Sequence, residues 1–164
     1  MRIFAVIRND LIFVMKLCHL KSTLLLRLQH LPMPSRGWRP CVCKWAGVSI
    51  ASPKTNFIGR DVEFDALYPE DIIIEEKAII ALKCTILSHF LKVDDNDDFH
   101  FERGKVVIGK HAYIGANTII VKPVTIGEGA IVGASSVVTK DIPPFEIWAG
   151  NPVRFIRKRE PDKL

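Results

Sequence analysis

The fold is decided by residues 108–138, which read IGKHAYIGANTIIVKPVTIGEGAIVGASSVV. Every sixth residue in this stretch is aliphatic, and the residue that follows is usually glycine. A helix would place apolar residues three and four apart, and an ordinary strand would alternate with period two, so neither explains a sustained period of six. Such a period indicates a repeat architecture of short strands and turns. The aliphatic positions are Ile108, Ile114, Ile120, Ile126, Val132 and Val138.

The pattern predicts a flat-sided solenoid in which each unit of six residues forms one short strand and one turn. The aliphatic side chain is expected to point into a narrow interior, and the glycine after it to take a positive φ at the corner. The fourth residue after each aliphatic is mostly small and is expected to fit beside the neighbouring coil. The same period is visible upstream at Ile74, Ile80 and Ile86, and at Ile58 and Phe64.

One stretch interrupts the repeat. Ile86 and Ile108 are 22 positions apart, which is not a multiple of six, and the excess coincides with residues 88–104. This stretch carries Asp94, Asp95, Asp97 and Asp98. We therefore predict an inserted acidic loop outside the solenoid, and long insertions in compact folds are often functional.

The two ends of the chain lack the period. Residues 9–31 have the apolar spacing of a helix that Pro32 ends, and residues 35–49 are interpreted as a basic connector. After a turn at 150–152, residues 153–159 are predicted to form a short basic helix. The predicted organisation is a helical and basic segment at 1–47, a β-helix at 48–143 and a tail at 144–164. Because a solenoid needs its open ends covered, we expect both terminal segments to cap it.

Length and charge narrow the function. A chain of 164 residues fits one domain, and no stretch approaches the ~18–20 apolar residues of a membrane span. Net charge is +9 over residues 1–60, −8 over 61–104 and +4 over 105–164. No nucleic-acid recognition motif accompanies the basic blocks, so no nucleic-acid partner is expected. The four cysteines lack a disulfide framework and indicate free thiols in a reducing cytoplasm.

Several motifs together resemble one family. These are the repeat itself, ILSH at 86–89, VTIGEG at 124–129, VVTKDIPP at 137–144 and AGNP at 149–152. They look like the hexapeptide-repeat acetyltransferases, whose fold is a left-handed parallel β-helix. The resemblance spans about residues 48–158. The segment FDALYP at 64–69 and the basic start look more like the sugar and cell-envelope polysaccharide O-acetyltransferases.

The resemblance implies that acetyl-CoA donates an acetyl group to a hydroxyl and that a histidine takes the acceptor's proton. The matching residue is His89, directly before the acidic insertion. The chemistry agrees, because acyl transfer to a hydroxyl needs a base near neutral pH and imidazole ordinarily has a pKa of about 6.5. His100, inside the insertion, could contact the acceptor, and His111 is expected to be a surface residue.

The resemblance also implies where CoA and the acceptor lie. It places backbone contacts to the pantetheine arm at Ala116 and Ala134, and further contacts at Thr139 and Lys140. Arg154 and Arg157 would meet the CoA phosphates, as guanidinium groups suit phosphate. Residues implied on the acceptor side are Tyr113, Asp65 and His100.

The implied assembly is a homotrimer with active sites between subunits, and no metal is expected. Zinc carbonic anhydrases share the fold, but they need two histidines five apart, whereas His89, His100 and His111 are 11 apart. A non-enzymatic scaffold is the rival of another class. The acceptor stays open among a cell-surface polysaccharide precursor, a small sugar, an amino sugar and an antibiotic. A cytoplasmic location is expected, with the amphipathic basic start in possible contact with an anionic membrane surface.

Overall fold

The chain folds as a parallel β-helix of three sheets, which we call A, B and C, in the computed structural model. The model describes residues 20–28, 31–32, 34–93 and 99–160. Apart from the inserted residues 89–103, consecutive strands up to residue 138 belong to sheets A, B and C in turn, so each of these coils contributes one strand to each sheet. Sheet A contains β1 (Ser49–Ile50), β4 (Ile72–Ile74), β9 (Val106–Ile108) and β12 (Thr125–Ile126). Sheet B contains β2 (Phe57–Ile58), β5 (Ile79–Ile80), β10 (Tyr113–Ile114), β13 (Ile131–Val132), β15 (Glu146–Ala149) and β16 (Arg154–Lys158). Sheet C contains β3 (Glu63–Phe64), β6 (Thr85–Ile86), β11 (Ile119–Ile120) and β14 (Val137–Val138).

The predicted interior is confirmed. Ile114 pairs with Val132 and Ile120 with Val138, so aliphatic residues 18 positions apart stack on one another. The aliphatic residue of every repeat from 108 to 138 is completely buried, and the small residues four positions later are buried beside them. The second residue of each short strand thus points inward, because side chains alternate between the faces of a strand.

The corners are built differently from the prediction. The glycines after the aliphatic residues do not have positive φ; instead the third residue after the aliphatic one does, as at Lys77, Lys83 and Asn117. The reason for glycine is close approach between coils. A Cβ on Gly115 would lie 2.4 Å from the backbone nitrogen of Ala134, a contact that no real side chain makes. The prediction of glycine at the corner is right and its conformational reason is wrong.

The acidic insertion forms a β-hairpin that leaves the coils in register. Strand β7 (His89–Val93) pairs antiparallel with β8 (Phe99–Arg103), and residues 94–98 lie outside the described part. On either side of the hairpin the ladder continues, with Ile86 of β6 stacked on Ile120 of β11. The hairpin therefore projects from the turn that leads from sheet C to sheet A, which we call the C–A corner.

The amino-terminal end carries a helix that was not predicted. Residues 20–28 form helix α1, in agreement with the predicted helix at 9–31, whose residues 9–19 and 29–30 lie outside the described part. The expected connector at 35–49 contains helix α2 (Trp38–Trp45). This helix buries Val42 and Cys43 and lies against β1 and β2. The Arg39 guanidinium fixes it by donating to the Ile58 carbonyl oxygen at 3.2 Å.

The predicted carboxyl-terminal helix at 153–159 is wrong. These residues turn back after Gly150, and β16 pairs antiparallel with β15 at the end of sheet B. The last coil presents unpaired backbone groups there, and an added strand satisfies them. Val153 is buried below this strand, while all five residues of β16 are exposed. Within the described ranges, no helix combines the length and apolarity that spanning a membrane requires.

Candidate active site

Asp65 and His89 form a hydrogen-bonded pair at the base of the hairpin. Asp65 follows the last residue of β3, and His89 is the first residue of β7. Because β3 stacks on β6, the chain segments after them are neighbours, and the Asp65 nitrogen bonds to the Ile86 carbonyl oxygen at 2.9 Å. The His89 Nδ1 lies in hydrogen-bond contact with the Asp65 Oδ2.

The Asp65 carboxylate is held by hydrogen bonds on both oxygens. Oδ2 also accepts from the Ser88 nitrogen at 3.1 Å and from the Ser88 hydroxyl at 2.8 Å. Oδ1 accepts from the Leu67 nitrogen at 3.0 Å. Burial raises the pKa of Asp65, but the bonds from His89, Ser88 and Leu67 outweigh burial and hold that pKa below its usual range. Asp65 therefore stays ionised at neutral pH.

The lowered pKa of Asp65 also makes a contribution to stability that depends on pH. A carboxylate that is more acidic in the folded chain than in the unfolded chain stabilises the fold when it is ionised. This contribution is fully present above about pH 4, the ordinary aspartate range, and is lost as the pH falls through the lowered folded value.

Asp65 is only 3% exposed in the single chain, and its implied role in binding the acceptor stays a prediction. Its carboxylate is bonded to His89 and accepts hydrogen bonds on both oxygens. Its geometry is that of a positioning residue, which orients an imidazole by accepting from one ring nitrogen. The sequence does not reveal this pairing, because Phe64 and Ile86 stack although they are 22 positions apart, which is not a multiple of six.

The His89 ring lies between two aromatic side chains at the edge of the fold. Its centroid is 5.6 Å from that of Tyr68 and 5.6 Å from that of Phe101, both in edge contact. About 20% of its side chain is accessible. Arg103, opposite His89 in the hairpin, stacks 4.2 Å from the Tyr68 ring centre and donates to Asp71 at 2.9 Å. These contacts, which sequence reasoning missed, fix the base of the hairpin against the turn at 68–71.

The arrangement suits proton transfer by His89. When Nδ1 of a neutral imidazole donates to a carboxylate, the lone pair is on Nε2. The ionised Asp65 then stabilises the imidazolium that forms when Nε2 takes a proton. The pair can therefore act as a general base for a hydroxyl or amine placed beside the ring.

His100 is not brought to His89. In the hairpin, His89 is directly opposite Arg103 and Lys92 is opposite His100, so the two histidines are on opposite faces of the ribbon. The His100 Nε2 lies 3.8 Å from the Glu102 Oε1. His100 therefore points away from His89 within one chain, and its contact with an acceptor stays a prediction. His111 has positive φ at a corner, but it is half-buried and so less exposed than the surface residue that was expected.

The residues implied to contact CoA lie on two different corners. Ala116 and Ala134 are stacked at the turn from sheet B to sheet C, which we call the B–C corner, and the Ser135 nitrogen donates to the Ala116 carbonyl oxygen at 2.8 Å. Thr139 and Lys140 follow β14, at the C–A corner. The Lys140 Nζ lies 5.2 Å from the ring centre of Trp148.

The remaining predicted positions lie on sheet B. Tyr113 points outward from β10 and is 40% exposed, so one chain does not bring it to His89. Arg154 and Arg157 are exposed on β16, at the carboxyl-terminal end. These positions follow one another along the solenoid in chain order. His89 comes first, then Tyr113 and Ala116, then Ala134, and the two arginines come last.

Metal ligation and thiol chemistry find no support here. Among the described residues, no three His, Cys, Asp or Glu side chains are grouped so that they could hold a metal ion. Burial raises the pKa of the Cys43 thiol to about 12, and that of Cys84 is raised by burial as well. Buried thiols of this kind are unreactive.

Comparison with known proteins identifies the repeat. Residues 105–140 match the model of the bacterial transferase hexapeptide (six repeats). A Bacillus subtilis (strain 168) protein described as acetyltransferase YvoF is 40% identical over 109 residues, which are 63% of this chain and 60% of that protein. The chain thus spans less than two thirds of this relative's length.

Solved structures share the fold. A maltose O-acetyltransferase from Clostridium difficile 630 has a TM-score of 0.68 at 24% identity, over 90% of this chain and 89% of that chain. A variant of AntD, an N-acyltransferase from Bacillus cereus in complex with dTDP and coenzyme A, has a TM-score of 0.52 at 26% identity over 71% of this chain and 80% of that chain. The chain therefore has the predicted left-handed parallel β-helix fold, and its residues 105–140 match the hexapeptide repeats of bacterial transferases.

Proposed function

We propose that this protein transfers an acetyl group from acetyl-CoA to a hydroxyl of a sugar or of a cell-surface polysaccharide precursor, with His89 as the general base. The observation that carries the proposal is the pairing of His89 with the buried, ionised Asp65 at the base of the hairpin. A histidine oriented by a carboxylate at the edge of an open surface is the arrangement that proton abstraction from an alcohol requires.

In the proposed reaction the acceptor attacks directly. The His89 Nε2 takes the hydroxyl proton while the acceptor oxygen forms a bond to the thioester carbonyl carbon. The carbon–sulfur bond then breaks, and the imidazolium returns its proton to the departing CoA sulfur. Asp65 keeps its negative charge throughout and stabilises the imidazolium between the two transfers. The products are the acetyl ester and free CoA.

The donor side is supported by shape and charge. The small side chains of Ala116 and Ala134 leave the backbone of the B–C corner open to a narrow ligand. Arg154 and Arg157 are exposed at the far end, and guanidinium groups bind phosphate well. The similarity to AntD, solved with coenzyme A, supports the same donor. Free Cys41, Cys43 and Cys84 are consistent with a cytoplasmic location, where acyl-CoA donors are consumed.

The proposal includes a homotrimer with active sites between subunits. Outward residues of sheet B form an apolar ladder along the solenoid, since its paired outward positions are Phe57, Ile79, Tyr113, Ile131 and Ile147. An unbroken apolar ladder favours burial against another copy. A neighbour packed there would lie beside the B–C corner, which borders sheet B and carries Ala116 and Ala134.

The direct test is the His89→Ala variant. Released CoA thiol is measured with a sugar acceptor, and kcat is expected to fall by about 10²–10⁴-fold because the base is lost. Thermal stabilisation by CoA should stay unchanged, since His89 is not assigned to CoA binding. His100→Ala, on the other face of the hairpin, is the matched control and should keep much more activity. Near wild-type transfer by His89→Ala would refute the assignment.

A screen of acceptors tests which class of molecule receives the acetyl group. Acetyl-CoA is offered with sugars, amino sugars, oligosaccharides and antibiotics, and ester or amide formation is followed by CoA release. Preference for a hydroxyl-bearing saccharide supports the proposal. Exclusive transfer to amines or antibiotics would move the protein to the alternative acceptor class. Absence of both CoA stabilisation and CoA release would leave the non-enzymatic scaffold.

A further inference from the structure

Helix α2 exposes an aromatic face that the proposed reaction does not use. Trp38 and Trp45 are 65% and 61% exposed, although tryptophan is usually well buried. With Cys41 they follow each other at three and four residues, so they lie on one side of the helix. The other side buries Arg39, Val42 and Cys43 against the first coil. The tryptophans are therefore held outward by a firmly anchored helix.

The two indole rings border a shallow depression of about 340 Å³. Gly37, Cys41 and Lys54 line it as well. The Gly37 nitrogen donates to the Pro53 carbonyl oxygen at 3.0 Å, which holds the loop bearing Lys54 beside the helix. The same depression is thus lined by two exposed aromatic rings and one cation.

The charged residues of the segment that carries this face are all basic. Residues 34–60 include five Lys and Arg residues and no Asp or Glu. Arg36, Lys44 and Lys54 are exposed around the helix, and Arg60 is paired at 3.5 Å with Asp61, just outside this range. Helix α1 also combines exposed apolar and basic side chains. These are Leu20, Leu24 and Leu28, with Lys21 and Arg27.

We propose that this face of α2, defined by Trp38, Cys41, Trp45 and Lys54, docks on an anionic lipid surface. Tryptophan is favoured at membrane interfaces because its ring is apolar and its N–H is polar. Lysine and arginine near an anionic leaflet each contribute attraction that salt weakens. Exposed aromatic rings in a segment whose charged residues are all basic match such a surface in both apolarity and charge.

The lipid-docking face is separate from the catalytic pair. Helix α2 contacts β1 and β2 of the first coil, whereas His89 follows β6 in the second coil. The proposal does not rest on the proposed acetyl transfer, and either can fail alone. A surface-bound enzyme of this kind would meet acceptors that are themselves attached to the membrane.

The test is flotation of the full chain with phosphatidylcholine vesicles that do or do not contain phosphatidylglycerol, at physiological ionic strength. We expect binding only to the anionic vesicles, with a blue shift of tryptophan emission and quenching by brominated lipid. The Trp38→Ser/Trp45→Ser variant should bind at least about tenfold more weakly, because its apolar insertion is lost. Lys54→Ser should weaken binding about fivefold, as expected for one cation at such a surface.

Trp148→Phe is the matched control, because Trp148 is half-buried at the other end of the solenoid. It should keep the binding and the spectral response. Thermal unfolding and CoA release in vesicle-free solution establish that the variants are folded. Equal binding of the double variant, or no binding by the wild-type chain, would overturn the proposal. So would a wild-type assembly twice the mass of the double variant's, which would assign the face to a second copy.

Discussion

The buried carboxylate of Asp65 orients the candidate catalytic histidine. It is 3% exposed, carries four hydrogen bonds and is the partner that orients His89. The sequence predicted His89 from its resemblance and its place before the insertion. It could not predict the role of Asp65, because an aspartate after a repeat position looks the same whether it faces solvent or a histidine 24 residues away. Only the stacking of β3 on β6 decides between them.

Replacement of Asp65 by Asn tests this role. The amide has no negative charge to stabilise the imidazolium and can bond to the wrong tautomer, so kcat is expected to fall by about 10²–10⁴-fold. The apparent affinity for CoA should change little. Both are measured by steady-state release of CoA thiol.

Ser88→Ala is the matched control for Asp65→Asn, since it removes one bond to Asp65 and keeps the carboxylate. A loss within about tenfold is expected for Ser88→Ala, as for one ordinary hydrogen bond. If Asp65→Asn kept activity comparable to Ser88→Ala, Asp65 would not be needed to orient the base.

Among the elements, the short strands of the repeat were the most predictable. The period of six predicts which of the two residues in each short strand points inward. Those residues are buried throughout 108–138. Helix α2 and strand β16 were missed because neither has a period. Helix α2 hides its apolar side within a basic, tryptophan-bearing segment, and β16 is formed by pairing with β15 rather than by its own sequence preference.

Two neighbouring residues of strand β11 allow an inward and an outward position to be compared by mutation. Ile120 is completely buried and Ile119, beside it, is 39% exposed. Ile120→Ala should lower the free energy of unfolding by about 2–5 kcal/mol because it leaves a cavity. Ile119→Ala should lower it by less than about 1 kcal/mol. Urea unfolding of the isolated variants measures both, and equal losses would contradict the assigned register.

At the scale of the whole molecule, the outward face of sheet B is the surface that we propose forms the trimer interface. Ile131→Asp puts a charge in the middle of its apolar ladder and should dissociate the proposed trimer, with loss of acetyl transfer. The mass in solution is measured by light scattering. Val107→Asp makes the same change on the outward face of sheet A and should leave the assembly intact. A trimer that survives Ile131→Asp would place the interface elsewhere.

A trimer of parallel solenoids would also set the direction of the lipid-docking face. Helix α2 lies at the amino-terminal end of each solenoid, so a threefold axis along the solenoids turns all three copies to one side. Three weak contacts made together bind far more strongly than one. The carboxyl-terminal end, with Arg154 and Arg157, would then face away from the membrane and remain open to CoA.

The hairpin at residues 89–103 leaves the ladders on both sides of it unbroken, since Ile86 still stacks on Ile120. A segment inserted at a corner of a solenoid can therefore change in length and charge without shifting the pairing of any coil. The corners that we propose to bind CoA are fixed by the repeat, while the hairpin is not. If the hairpin sets the acceptor, as proposed, the two sides of the reaction can diverge at different rates in evolution, so that one scaffold acquires new acceptors while it keeps the same donor.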